Sequence, residues 1–243
     1  LAAGVSIGEV AAFAAYEALW VVVPGAALVA LLRPRSQLFE IVALGWAAGY
    51  AVEVLAFAGT SAIGFRPLFW GLPVLAAVVG VAAARRRQAP PGTQGAAALS
   101  SGQRWATSGV CLLALTYLVG GAFLPAALPR DVVEVAYPPD TVFQLAVATE
   151  ALHHWPITNP QVAGEPLPYH NFAFVHLAAI AQVTGIDLAT IRLRLYLVPG
   201  VLAIVLLLVL VGKAIAVGRH REKDRAWVGV MAAALVVGAG KST

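Results

Sequence analysis

The sequence predicts an all-α fold: a polytopic membrane helix bundle of about six transmembrane helices with two short external interfacial helices. Three observations predict it. The chain is 60% hydrophobic and only 12% charged, with mean hydropathy +0.82, outside the range of soluble domains. Its apolar residues fall in blocks of spanning length, since a hydrocarbon core of about 30 Å takes roughly 20 residues at about 1.5 Å each. Its charges, finally, collect between the blocks rather than within them.

The blocks are Val10 to Leu32, Leu38 to Gly59, Pro67 to Ala84, Trp105 to Leu124, Ile191 to Gly212 and Ala226 to Gly240. The third and the last are short. Val10 to Leu32 is too long for the apolar region of a signal peptide and lacks a basic flank before it, so it reads as a span. The chain starts at Leu1 without an initiator Met and stops at Thr243, just after the last block, which reads as a fragment at both ends, its core truncated at the C-terminus. Cys111 is the sole cysteine and lies within the fourth block, which excludes an intrachain disulfide and a thiolate metal site.

A net charge of +4 and a pI near 9.5 would suit nucleic acid if the charges formed a patch. They flank the blocks instead, and no nucleic-acid partner is expected. Arg33 and Arg35 follow the first block; Arg85, Arg86, Arg87 and Arg104 separate the third from the fourth; Lys213, Arg219, Arg221, Lys223 and Arg225 separate the fifth from the sixth. With alternating blocks these loops share one side, the cytoplasm by the positive-inside rule. The opposite side carries only Arg66, Arg130, Arg192, Arg194 and Lys241. The expected location is the bacterial plasma membrane, with the N-terminus and the loop 125–190 outside.

Residues 85–104 are rich in Gly, Pro, Ser and Gln and read as a flexible cytoplasmic linker. It divides a three-helix segment, 1–84, from a core, 105–243. Within the external loop, Asp140 reads as an N-cap after Pro138 and Pro139, followed by an unbroken run to His154. At about 100° per residue, Asp140, Gln144, Ala151 and His154 fall on one face. "ITNPQVAGEPLPY" is a loop with fixed turns. "HNFAFVHLAAIAQVTGI" is a second short helix, ending at Gly185. At about fourteen residues it is too short to span, so it reads as interfacial or re-entrant.

In order, these are a span, an outer acid, an amphipathic helix with "ATEAL", a loop "WPITNPQVAGEPLPYHNF", a second helix ending in Gly, and an Arg-bearing entry "TGIDLATIRLRLYLVPG". The order resembles the N-terminal portion of GT-C glycosyltransferases, polytopic enzymes that take sugars from polyprenyl-phosphate carriers. The likeness covers roughly Trp105 to His220. It departs from the family in two ways: three helices come before the family's first, and the usual acidic pair is replaced by Pro139-Asp140, with Asp131 and Glu134 upstream. The resemblance implies a transferase, inverting or retaining, moving a sugar from a polyprenyl-phosphate donor within membrane lipid to an acceptor at the outer face. It names no definite cofactor; a divalent cation is the one candidate, suggested by the outer acids and histidines.

Sugar transfer to a hydroxyl needs a base at the acceptor and a stabiliser for the departing phosphate. By the resemblance Asp140 is the base, although an Asp before a helix ordinarily caps it. Tyr169 and His170 stand where the family's loop reaches back to the site, and Gln144 and His154 share the face of Asp140. Arg192 and Arg194 suit phosphate oxygens, or snorkel to lipid head groups; residues two apart on a helix diverge by about 200°, so one of them faces the bundle. His153, His154, His170 and His176 cluster outside, and with the nearby acids they suggest Mg²⁺, Mn²⁺ or Zn²⁺, but their spacing is poor for a metal. His153 and His176 fit an interfacial role better.

Glu17 and Glu53 lie inside blocks one and two, each roughly 10 Å from the outer end. Intramembrane carboxylates are costly and point to function, or else are protonated and hydrogen-bonded between helices. They support a rival reading as a transporter or flippase; a scaffold for envelope assembly is a third. The terminal "GAGKST" lacks the first glycine of a phosphate loop, since Leu235 stands there, and no strand precedes it.

Overall fold

The computed structural model describes residues 4–33, 36, 38–86, 99–125, 128, 137–162, 164–167, 169–215 and 225–239. Among them the chain is a bundle of helices, whose one β contact is an isolated bridge between Thr158 and Pro166. In chain order the helices are α1 Ile7–Leu32, α2 Leu38–Ala62, α3 Arg66–Arg85, α4 Ser101–Phe123, α5 Pro139–His153, α6 Phe172–Thr184, α7 Leu188–Ala214 and α8 Arg225–Ala239. Five of these, α1 to α4 and α7, are long and apolar enough to cross a membrane. The sixth expected span is α8, whose apolar part Trp227–Val237 is shorter than a crossing requires.

Several helices start before their apolar blocks because polar caps lie outside the hydrophobic run. Ser6 Oγ accepts from Glu9 N at 3.1 Å while Glu9 Oε2 accepts from Ser6 N at 2.7 Å. That reciprocal cap starts α1 at Ile7 rather than Val10. Ser100 and Gln103 do the same for α4. The expected linker 85–104 is therefore helical at both ends, at Arg85 where α3 closes and again from Ser101; its middle, 87–98, is outside the described residues, as are Asp131, Glu134 and the GAGKST stretch from Gly240 onward.

Three of the spans contain a π-helical turn, in which one extra residue enters the hydrogen-bonded ring: Glu17–Val22 in α1, Val119–Phe123 in α4 and Ile191–Leu195 in α7. Such turns recur at functional positions. Here they carry Glu17 in one case and Arg192 and Arg194 in another.

The five long helices and α8 pack as two groups, α1 with α2 and α3, and α7 with α4 and α8. Lipid supplies no hydrophobic drive between helices, so close approach through small residues takes its place. A Cβ on Gly25 would sit 1.7 Å from the Gly45 carbonyl oxygen, and one on Gly49 would sit 1.8 Å from that of Val21. Gly212 and Gly229 bring α7 and α8 together in the same way. The groups meet where α2 touches α7, and Lys213 Nζ pairs with Glu40 Oε1 at 2.9 Å.

The segment from α5 to the start of α7 packs with the first group, although in sequence it follows the linker. One core runs through Tyr16, Phe57, Phe69, Val147, Val175 and Ile180, from α1, α2, α3, α5 and α6. A second, smaller core of Val110, Ala114, Val205, Val209, Val230 and Ala233 joins α4, α7 and α8. Every residue of α6 from Phe174 to Ala181 is buried. That helix is thus set into the groove between α1 and α2 and against α5, with far more of its surface covered than an interfacial helix shows. His176, expected at an interface, is 2% exposed.

Candidate functional site

Two clusters of polar side chains emerge, one on the rim formed by α5 and one buried beneath α6. On the rim, Pro138 is the N-cap of α5 and Pro139 its first residue, so Asp140 lies in the first turn and not at the cap position. Proline's fixed φ and missing N–H suit that first position, which moves the helix start two residues earlier than the sequence suggests. Asp140 makes no capping hydrogen bond and is exposed. A carboxylate in the first turn is still favoured by the helix dipole.

Asp140, Phe143 and Gln144 are spaced i, i+3, i+4 and share one face of α5. Two distant residues dock there. Tyr169 packs edge-on against Phe143, with ring centroids 5.8 Å apart. Arg192 donates from Nε to Gln144 Oε1 at 2.9 Å and from Nη2 to the same oxygen, and its guanidinium lies 5.1 Å from the Tyr196 ring centre. His170 stacks on Tyr169 at 4.1 Å and is exposed.

Arg192 and Arg194 diverge, as their spacing requires. Arg194 is 5% exposed and donates to the Leu193 carbonyl at 3.1 Å, so it is Arg192 that reaches the rim. His154 lies at the other end of α5 as its C-cap, 3.0 Å from Glu150 Oε2. Glu150 Oε2 also accepts from Thr158 Oγ1 at 3.0 Å. His154 is two turns and more from Gln144, so it belongs to the closing of the following loop and not to the rim. His153 is exposed beside it.

Sequence reasoning gave Arg66 no role. Its guanidinium donates to the carbonyls of Leu152, Ala151 at 3.1 Å and His154 at 3.5 Å. These are the carbonyls a helix end leaves without partners, and a cation there also meets the negative end of the dipole. Two arginines therefore hold α5, Arg192 near its start and Arg66 at its end.

The buried cluster joins three helices. His176 Nδ1 lies 3.1 Å from Glu53 Oε2, and its Nε2 lies 3.3 Å from Glu17 Oε1. Glu53 is fully buried and Glu17 is 6% exposed. Tyr16 donates its hydroxyl to Glu53 Oε1, and Trp46 Nε1 donates to Glu17 Oε2 at 3.1 Å. Tyr50 meets the imidazole edge-on at 4.8 Å, and Tyr16 lies tilted to it at 6.2 Å. Glu17 Oε1 is close enough to His176 for an ion pair, yet it has no hydrogen bond.

Glu17 and Glu53 thus meet, as a shared cavity or a pair between helices would require, but through a histidine from α6. The signal was present in part: an intramembrane carboxylate demands a partner, and His176 is the one titratable residue within the apolar stretch of α6. Among the described residues no three His, Cys, Asp or Glu side chains are arranged to hold a metal ion. Both nitrogens of His176 already face carboxylates, which leaves neither free for coordination.

No protein-family model matches this chain, and neither a curated protein nor a solved structure matches it.

Proposed function

We propose that this chain is part of a membrane glycosyltransferase of GT-C type, which moves a sugar from a polyprenyl-phosphate donor to an acceptor at the outer face of the membrane. The observation that carries the reading is the docking of Tyr169 and Arg192 on the face of α5 that bears Asp140. A base, a bidentate cation and an aromatic platform then stand within two turns of one helix, in a chain with five helices long and apolar enough to cross a membrane.

In the proposed reaction the Asp140 carboxylate takes the proton of the acceptor hydroxyl as its oxygen attacks the anomeric carbon. The carbon–oxygen bond to the phosphate breaks, and polyprenyl phosphate leaves with the bonding pair. Arg192 offers its fork to the phosphate oxygens as charge develops there, exchanging its contact with Gln144 for one to the substrate. Tyr169, with His170 stacked on it, gives the sugar a flat apolar wall. Replacing Asp140 with Asn should abolish glycan formation while leaving membrane insertion intact; undiminished glycan formation removes Asp140 from the mechanism.

A second reading, a transporter or flippase, is favoured by the convergence of Glu17 and Glu53 on His176. Transport abolished by Glu53→Gln and indifferent to Asp140→Asn is the result that selects it.

A further inference from the structure

We propose that Glu17, His176 and Glu53 form a proton-binding clasp, whose two bound protons pin α6 into the groove between α1 and α2. The clasp shares no residue with the rim of α5.

The cluster holds the same number of protons whichever atom carries each. His176 faces a carboxylate oxygen at both nitrogens, at 3.1 Å and 3.3 Å. Each of these two gaps needs one proton, because a bare nitrogen against a bare carboxylate sets lone pair against lone pair. An imidazolium between two carboxylates satisfies both gaps. A neutral imidazole between one carboxylate and one carboxylic acid satisfies them equally. Either way the cluster holds two protons with a net charge of −1, and Tyr16 and Trp46 supply the further donors that a buried charge requires.

Losing one proton changes this balance sharply. The N–H or O–H bond in one gap breaks, its electron pair stays on the heavy atom, and the proton goes to water. Two full carboxylate charges are then left in a site of almost no exposure, with one gap repulsive. The ring belongs to α6 and the carboxylates to α1 and α2, so the structure relieves the repulsion by releasing α6. Adding a third proton has no such effect, because a neutral carboxylic acid still hydrogen-bonds. The clasp therefore opens on the alkaline side only.

The groups that face the imidazole are Tyr16 and Glu17 from α1 and Tyr50 and Glu53 from α2. From α7, Tyr196 packs against the same core. No described side chain of α5 makes a hydrogen bond, ion pair or ring contact with it. The Glu17 gap is the longer of the two, 3.3 Å against 3.1 Å, and the proton lost belongs to the cluster as a whole.

The test is a pH titration of the full chain in detergent, with amide hydrogen exchange of residues 172–184 read against their intrinsic exchange rate from about pH 6 to about pH 10. Wild type is expected to hold its protection and then lose about tenfold for each further pH unit, the slope of one proton. In Glu17→Gln and Glu53→Gln the amide N–H fills the gap without a titrating proton, so the alkaline loss should vanish or move beyond the range. The thermal unfolding midpoint of the same proteins gives a second readout with the same order of outcomes. Should either glutamine variant fail to fold, the other variant and the wild-type slope decide. Protection that stays level in wild type, or an alkaline loss unchanged in the variants, overturns the clasp.

Discussion

Arg192 Nε donates to Gln144 Oε1 at 2.9 Å across 48 residues of sequence, and this contact ties the start of α7 to α5, the helix that carries Asp140. It keeps the guanidinium on the rim in a polar contact that a phosphate can take over. Replacing Arg192 with Ala removes a charged fork worth about 1.5–3 kcal/mol, so sugar transfer should fall roughly tenfold to a hundredfold. Arg192→Lys keeps the charge without the fork and should fall between the two. Transfer rates of membranes bearing each variant check this; a lysine variant as active as wild type would show that the fork is not used.

Arg66 should matter for order at the far end of the same helix. Arg66→Met keeps an apolar stem and removes the donors to the carbonyls of Ala151, Leu152 and His154. A cost of about 1–2 kcal/mol is expected, seen as faster amide exchange after Leu152 with little change in α1 or α2. Unaltered exchange there would mean that water caps this helix end as well.

The close crossing of α1 and α2 makes a sharp contrast between two glycines of one helix. At Gly49 a Cβ would fall 1.8 Å from the Val21 carbonyl oxygen, whereas at Gly59 nothing lies within 4 Å. Gly49→Ala should destabilise by about 1–3 kcal/mol, as overpacking does. Gly59→Ala should be neutral or stabilise by up to about 1 kcal/mol, because alanine is the better helix former. Thermal unfolding of the two purified variants in one detergent makes the comparison, and equal midpoints would deny the close crossing.

Much of the architecture was legible because lipid imposes a length rule, which five of the six apolar runs obey while the last falls short. The misplaced helix starts at Ile7 and Ser101 came from caps whose polar residues precede the apolar run. Asp140 was misplaced at the cap because proline competes for the start of a helix, and Pro138 takes the cap position itself. The burial of α6 was hidden for a different reason: its run reads as a short apolar helix whether it lies on lipid or between helices, and only its neighbours decide. The pairing of His176 with Glu53, 123 residues apart, is likewise tertiary, although two intramembrane carboxylates announced that some partner had to exist. On the rim, Asp140, Gln144, Tyr169, His170 and Arg192 come to the same end of α5, while His154 and Arg194 are engaged elsewhere.

The most direct measurement on the proposed activity is transfer by the purified full-length protein in lipid vesicles supplied with a labelled polyprenyl-phosphate sugar and candidate acceptors. The expected result is label on the acceptor and free polyprenyl phosphate with wild type, and neither with Asp140→Asn, although the variant inserts and binds the donor. Equal transfer by wild type and Asp140→Asn would contradict the assignment of the α5 rim as the site of chemistry.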